Sequence, residues 1–420
     1  MEYSMASSIL LPPPPLPPPY NHHKPPILIH HNPLILRSIT SPSSITAMAL
    51  KAVHVSDVPH LDAVPVPSFD IYSSSRIGGA VVEKEKRFVV IGHRGYGMNK
   101  LMSGDRRMVA VKENTVLSFN TAARFGVEFV EFDVQVTKDG CPIIFHDNFI
   151  ISQENGTIFE KRVTDLTLSE FLAYGPQGDS VTGKPLLRKT NGKIMDWKVE
   201  SDEHHCTLLE AFEKTNPKLG FNIELKFDDN IVYDQDYLIS VLQSILKVVF
   251  QSAKDRPIIF STFQPDAALL VRKLQDKYPV LFLTNGGNEL YYDMRRNSLD
   301  EALKLSLEGG LQGIVSEVKG IFRDPEAVRR IKEAGLELLT YGRLNNVPEA
   351  VYVQHLMGVD GAIVDLVEEI TTAVKSLIEP ASKDDALADG NLQLPFDMKP
   401  RFSDRELSFL LKLIPELIQQ

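Results

Sequence analysis

Three short polar clusters in this chain each close or interrupt an apolar run, and together they hold the side chains that proton transfer and anion binding require. Gly92-His93-Arg94-Gly95 follows Phe88-Val89-Val90-Ile91, and His146-Asp147 follows Pro142-Ile143-Ile144-Phe145. Between them Glu131 and Asp133 stand two residues apart inside Phe129-Val130-Glu131-Phe132-Asp133-Val134. A further pair, Glu224 and Lys226, has the same spacing in Asn222-Ile223-Glu224-Leu225-Lys226. Any one cluster alone reads as structural, since a histidine at a strand end is usually a satisfied core residue and a Glu-x-Asp pair a wet edge. In combination they offer two imidazoles for acid–base work, a guanidinium and an ammonium for an anion, and hard oxygen ligands for Mg²⁺ or Ca²⁺. That set suits phosphate-ester chemistry.

Each apolar run is too short for a helix and reads as a strand. Side chains at i and i+2 of a strand share a face, so Glu131 and Asp133 point one way while Val130, Phe132 and Val134 pack on the other. From Arg87 onward such runs alternate with helical patterns, as βαβ units do. Strands are predicted at 88–91, 129–134, 220–225, 257–262, 280–283, 313–315, 336–340 and 361–364, and helices at 115–125, 207–214, 236–250, 266–277, 299–308, 325–334 and 348–356. This alternation predicts an α/β fold, a (β/α)₈ TIM-type barrel, ahead of an open doubly wound sheet. Barrel sites form where strands end, so His93, Arg94, Glu131, Asp133, Glu224 and Lys226 should share one rim. Residues 139–205 break the alternation and read as an insertion after the second strand. It starts as a hairpin through Asp139-Gly140 returning to His146, then becomes a long glycine-punctuated excursion able to cover the rim.

The 420 residues carry a net charge of −10 and 43% hydrophobic residues, enough for a large core. The acidic balance argues against a nucleic-acid partner, and no apolar stretch reaches the roughly 20 residues that cross a bilayer, so no stable membrane anchor is expected. Cys141 and Cys206 lack metal-ligand spacing and fit a reducing compartment. Residues 1–50 are acid-poor and Ser-rich, with Pro12 to Pro19 nearly all proline, and read as a plastid transit peptide, followed by a linker at 51–86. The catalytic barrel is expected at 87–378 and a polar linker with an amphipathic C-terminal helix at 379–420. The apolar face at 403–418 offers a possible subunit contact, with docking on its own domain preferred.

Gly-His-Arg-Gly at 92–95, Glu-Asn-Thr at 113–115, Val-Glu-Phe-Asp-Val at 130–134, Phe-His-Asp at 145–147 and Ile-Glu-Leu-Lys at 223–226 occur in an order that resembles the glycerophosphodiester phosphodiesterase family. With the leader, the chain is similar to a plant member of the plastid stroma. The resemblance implies that Glu131, Asp133 and Glu224 hold one divalent cation, Mg²⁺ ahead of Ca²⁺. It implies that Arg94 and Lys226 grip the phosphate and that His93 and His146 are the acid–base pair, His93 as base and His146 as acid. Glu113 would orient Arg94 or complete the outer metal shell. Where the family commonly carries Trp near the end of the seventh strand this chain has Thr340-Tyr341, so Tyr341 is the candidate wall for glycerol. The implied reaction is hydrolysis of a glycerophosphodiester, such as glycerophosphocholine, glycerophosphoethanolamine or glycerophosphoglycerol, to sn-glycerol 3-phosphate and an alcohol. A phospholipase-type route to a cyclic phosphate and a catalytically silent phosphodiester-binding module are the alternatives.

Overall fold

The computed structural model describes residues 87–176, 183–229 and 231–378. The leader at 1–50, the linker at 51–86 and the C-terminal segment 379–420 with its expected helix lie outside the described residues.

Along the chain run β1 (Val89–Gly92), α1 (Val116–Arg124), β2 (Phe129–Val136), β3 (Pro142–Ile144), β4 (Phe149–Glu154), β5 (Thr157–Arg162), α2 (Leu168–Leu172), β6 (Leu187–Thr190), β7 (Lys193–Asp196) and α3 (Leu208–Lys214). There follow β8 (Gly220–Leu225), α4 (Gln235–Ser252), β9 (Ile258–Thr262), α5 (Pro265–Leu274), β10 (Val280–Thr284), α6 (Leu299–Gly309) and β11 (Gly313–Glu317). The last elements are α7 (Val318–Arg323), α8 (Glu326–Glu333), β12 (Glu337–Tyr341), α9 (Pro348–Met357), β13 (Gly361–Val364) and α10 (Val367–Leu377).

Strands β2, β8, β9, β10, β11, β12 and β13 pair in parallel in that order, and β1 pairs with both β13 and β2. The ring is therefore a closed 8-strand parallel barrel, and the open-sheet alternative is excluded. Alternation decides what each strand residue does. Val130, Phe132 and Val134 join Phe119 of α1 and Phe221 of β8 in the layer between barrel and helices, with ring centroids 5.1 Å apart for Phe119–Phe132 and 4.9 Å for Phe132–Phe221. Val89, Ile91, Phe129, Ile259, Leu281, Leu283, Val315, Leu339 and Ile363 form a second, separate cluster from the alternate positions. These are the inward residues, so the barrel interior is largely apolar, with Asn222 and Ser261 hydrogen-bonded to each other within it at 2.9 Å.

Cap chemistry fixes several helix ends. Thr115 caps α1 by accepting from the Ser118 amide, and Thr207 with Glu210 forms a reciprocal capping box on α3. Three helices were not anticipated: the short α2 and α7, and the longer α10. α10 follows Leu366, which gives no side-chain cap, but it carries Glu368 and Glu369 in its first turn and buries one face through Val367, Ile370, Thr371 and Val374.

The insertion is more regular than the expected excursion. After the hairpin, in which β3 pairs antiparallel with β2 (Val134↔Ile144, Val136↔Pro142), β4 to β7 make a 4-stranded antiparallel sheet in the order β5-β4-β6-β7. Its two tight turns are Asn155-Gly156 and Asn191-Gly192, all four with φ between 49° and 79°. That is the left-handed pair of a type I′ hairpin, which Asn-Gly favours. The backbone amide of Phe145 donates to the Asp133 carbonyl at 2.9 Å, which holds the end of β3 beside β2 and sets His146 next to the carboxylate strand.

Phe132 is fully buried against two other aromatic rings. Phe132→Ala should destabilise the protein by about 3–5 kcal/mol in denaturant unfolding, and a change under about 1 kcal/mol would mean that this layer does not hold the barrel.

Candidate active site

At the end of β1 the chain reverses within Gly92-His93-Arg94-Gly95. A Cβ on Gly92 would collide with the Gly95 carbonyl oxygen, and one on Gly95, whose φ is 94°, would collide with the Ser118 side chain. Only glycine fits at both ends, which explains the spacing of the motif. Arg94 itself sits at φ 52°. The turn delivers its amide to Glu131 Oε2 at 2.9 Å, while its carbonyl accepts from the Asn114 amide and Ser118 Oγ, each at 3.0 Å. Its guanidinium donates to Glu113 Oε1 at 2.7 Å and leaves Nε without a hydrogen bond, 3.6 Å from Asp133 Oδ2.

Glu131 and Asp133 on β2 and Glu224 on β8 come together. Register pairs Asp133 with Glu224 directly across the ladder, and one carboxylate oxygen from each of the three lies within 4.8 Å of the others. All three are buried in the barrel mouth, and Glu131 Oε1 has no hydrogen-bond partner at all. Burial, then the charges of Asp133 and Glu224, push Glu131 well above the ordinary carboxylate range, and burial raises Glu224 too. Burial would also raise Asp133, but the field of His146, Arg94 and Lys226 and a 2.9 Å hydrogen bond from Asn114 Nδ2 hold it at about 2. With the His146 ring neutral, Arg94 and Lys226 carry that field. Lys226 lies 3.1 Å from Glu224 and 3.8 Å from Asp133, and their charges outweigh burial and keep it an ammonium. Three hard oxygen donors, one of them orphaned and two raised, are the donor set a divalent cation requires.

Each histidine is held by an aspartate. His93 Nδ1 is 2.7 Å from Asp365 Oδ1, with Nε2 turned toward Glu131 Oε2 at 3.9 Å. His146 Nδ1 is 2.8 Å from Asp147 Oδ1. Part of the His146 side chain, 31%, faces an open cleft, yet protein crowds the rest; burial, then Arg94 and Lys226, lower its pKa well below the usual histidine value. Burial would raise Asp365, but His93, Lys100 and the Met98 amide hold it well below the carboxylate range.

Every residue expected on the rim is thus on it, and the structure adds four. Asp365 follows the apolar run of β13 just as His93 follows β1, so the signal that found one could have found the other. Asp147 and Asn114 lie inside the quoted motifs Phe-His-Asp and Glu-Asn-Thr. Arg188 had no signal: it comes from β6 of the insertion and reaches Glu113 Oε2 and Asp147 Oδ1, both at 2.9 Å. Glu113 thereby bridges two buried arginines, which outweigh its burial and hold it at about 2. It lies outside the three-carboxylate cluster, with Oε1 2.7 Å from Arg94 Nη1. Tyr341 closes the inner cluster from above, its ring edge-on to Phe263 at 5.9 Å and its hydroxyl bound to Asn285. On the other side a cleft of about 1050 Å³ opens between the β1–α1 loop and the insertion, lined among others by Met98, Lys100, His146, Phe149, Arg188 and Lys226.

The sequence model of the glycerophosphoryl diester phosphodiesterase family matches residues 93–369. The chain belongs to this family. It is 61% identical over 375 residues to glycerophosphodiester phosphodiesterase GDPD1, chloroplastic, of Arabidopsis thaliana, spanning 89% of this chain and 100% of that one. Glycerophosphodiester phosphodiesterase GDPD2 of the same plant is 55% identical over 384 residues, with 89% of this chain and 100% of the relative covered. The crystal structure of a glycerophosphodiester phosphodiesterase from Parabacteroides distasonis shares the fold at a TM-score of 0.50 and 21% identity, covering 70% of this chain and 99% of that one. The protein is a phosphodiesterase that acts on glycerophosphodiesters.

The raised carboxylates make a prediction about stability. A carboxyl whose folded pKa is raised stabilises the fold below its unfolded value, and that stability is lost as pH rises through the folded value. Without a divalent cation, the Tm of the wild type should therefore fall, relative to Glu131→Gln, as pH rises from about 5 to 8. Added Mg²⁺ at the upper pH should restore the wild type and not the variant. Parallel Tm profiles for the two proteins would contradict the electrostatic reading of the cluster.

Proposed function

We propose that this phosphodiesterase hydrolyses glycerophosphodiesters with small polar head groups, among them glycerophosphocholine, glycerophosphoethanolamine and glycerophosphoglycerol, to sn-glycerol 3-phosphate and the free alcohol. The observation that carries the mechanism is the convergence of three carboxylates, two cations and two aspartate-held histidines on one rim. Glu131, Asp133 and Glu224 hold one divalent cation, with Mg²⁺ favoured over Ca²⁺ because so few protein oxygens leave positions for water and substrate. When bound, it polarises a phosphoryl oxygen and offsets charge that develops on the phosphate.

The protein's own groups do the remaining work. Arg94, fixed at one end by Glu113, and Lys226 bind the anionic phosphate. Asp365 holds His93 through Nδ1, which leaves Nε2 to take a proton from the attacking water as its oxygen bonds to phosphorus. The bond to the head-group oxygen then breaks, and His146, fixed through Nδ1 by Asp147, gives that oxygen a proton. His146 lines the wide cleft, so the head group lies there, while Tyr341 and Phe263 wall the glycerol. In the free site burial, then Arg94 and Lys226, keep the His146 ring neutral. The diester's negative charge offsets those same two cations and lets the ring take up the proton it will donate. The protein works in the chloroplast, in keeping with the name of its 61% identical relative and the acid-poor, Ser-rich leader.

A chelator should abolish activity and Mg²⁺ should restore it, with Asp133→Ala as inactive as the chelated protein; phosphorus NMR should show a monoester and no cyclic phosphate. Activity that survives both treatments would rule out the cation, and a cyclic product would replace hydrolysis by internal attack.

Because His146 must be protonated to act and its pKa rises when substrate binds, the alkaline limb of kcat should lie at higher pH than that of kcat/KM. On glycerophosphocholine, His93→Ala and His146→Ala should each lose ~10²–10⁴-fold. On a diester with a nitrophenolate leaving group, which departs without a proton, only His146→Ala should recover. Recovery of His93→Ala in its place would swap the two roles.

A further inference from the structure

Arg188 lies outside every motif above and outside the barrel, yet its guanidinium is buried in the active-site wall. Nη2 donates to Asp147 Oδ1, the same oxygen that holds His146 Nδ1. Nη1 donates to Glu113 Oε2, whose other oxygen holds Arg94. Cζ stands 4.0 Å from the centre of the Trp197 ring, which is itself tied by Nε1 to Asn99 Oδ1 at 3.0 Å. Register on the β6–β7 hairpin pairs Arg188 with Met195, two residues before Trp197, so the hairpin carries both the guanidinium and the ring behind it.

We infer that Arg188 is a positioning residue that sets His146 and Arg94 together, one through each arm of its fork, and so makes the insertion a working part of the catalytic centre. The reason lies in what each carboxylate would do without it. Glu113 Oε2 would be left with the Asn99 amide alone, and a carboxylate held so much more loosely would turn toward Arg94 and draw that guanidinium back from the phosphate. Asp147 would lose the partner that fixes its rotamer, and the ring it holds would lose its aim. A lysine at 188 keeps the charge and can still lie over Trp197, but a single ammonium lacks the planar fork that spans both carboxylates.

This inference rests on the proposed roles of His146 and Arg94, and the experiment separates the two. Arg188→Lys, His146→Ala and the double variant are assayed on glycerophosphocholine and on the nitrophenyl diester. Arg188→Lys should lower kcat/KM on glycerophosphocholine roughly 10- to 100-fold, the usual loss for an orienting partner, through both a lower kcat and a higher KM. The kcat loss should shrink on the nitrophenyl diester. In the His146→Ala background Arg188→Lys should change kcat by no more than about twofold, since a path already cut cannot be cut again, while the rise in KM through Arg94 persists. If His146→Ala shows no dependence on the leaving group, the acid role fails and the cycle still decides the inference. Losses in kcat that multiply in the double variant, or an Arg188→Lys protein equal to wild type, would overturn it. Should Arg188→Lys fail to fold, Arg188→Gln, whose planar amide also lies flat on Trp197, takes its place in the same cycle.

Discussion

Everything in this active site answers one electrostatic problem: three carboxylates with oxygens within 4.8 Å of one another above a largely apolar barrel interior. At that separation, and at an effective dielectric near 20, each pair of charges repels by a few kcal/mol. Against a net folding stability of about 5–15 kcal/mol, such repulsion cannot stand uncompensated. Strand register leaves no escape, because i, i+2 spacing and the Asp133↔Glu224 pairing aim all three side chains into the same mouth. The protein supplies part of the compensation itself, through Arg94, Lys226 and the amide of residue 94. It leaves Glu131 Oε1 without a partner, and that unmet acceptor is the ground for proposing a cation site there and not merely an ion-pair network.

The same economy of placement runs through the rest of the centre. Groups proposed to meet the phosphate are each held from behind by another: Arg94 by Glu113, His93 by Asp365, His146 by Asp147. Three chain segments far apart in sequence supply these backers, the β1–α1 loop, the end of the last barrel strand and the end of the β2–β3 hairpin. Arg188 brings in a fourth, the insertion sheet, whose hairpins also wall the head-group side of the cleft. On the proposed mechanism the barrel fixes the reacting groups, and the insertion sets their aim and the space into which the alcohol departs.

Most of this was legible in the sequence, for a physical reason. A barrel strand buried on both faces is a short apolar run, and a polar residue near its end has nowhere to point except the rim. That logic places His93, Glu131, Asp133, Glu224 and Lys226, and it applies equally to Asp365, which directly follows the strand run Gly361–Val364. The insertion sheet was harder to read. β5 and β7 are exposed and largely polar, so their alternation is faint, but the two Asn-Gly turns were there to mark its hairpins. α2 and α7 are too short to show a helical period, and α10 sits directly behind the last strand with no capping side chain to mark the change. Arg188 is of another kind. Nothing local distinguishes it from a surface arginine on a strand, since its role comes from a docking of the insertion against the barrel that only the folded chain reveals.

The central claim is that the three carboxylates are built around one divalent cation, and direct binding tests it without reference to catalysis. Isothermal titration of the metal-stripped protein with Mn²⁺ or Mg²⁺ should give a single site per chain in the wild type and none in a protein carrying Glu131→Gln and Glu224→Gln, provided that circular dichroism shows both to be folded. Undiminished binding by the doubly substituted protein, or none by the wild type, would contradict the account.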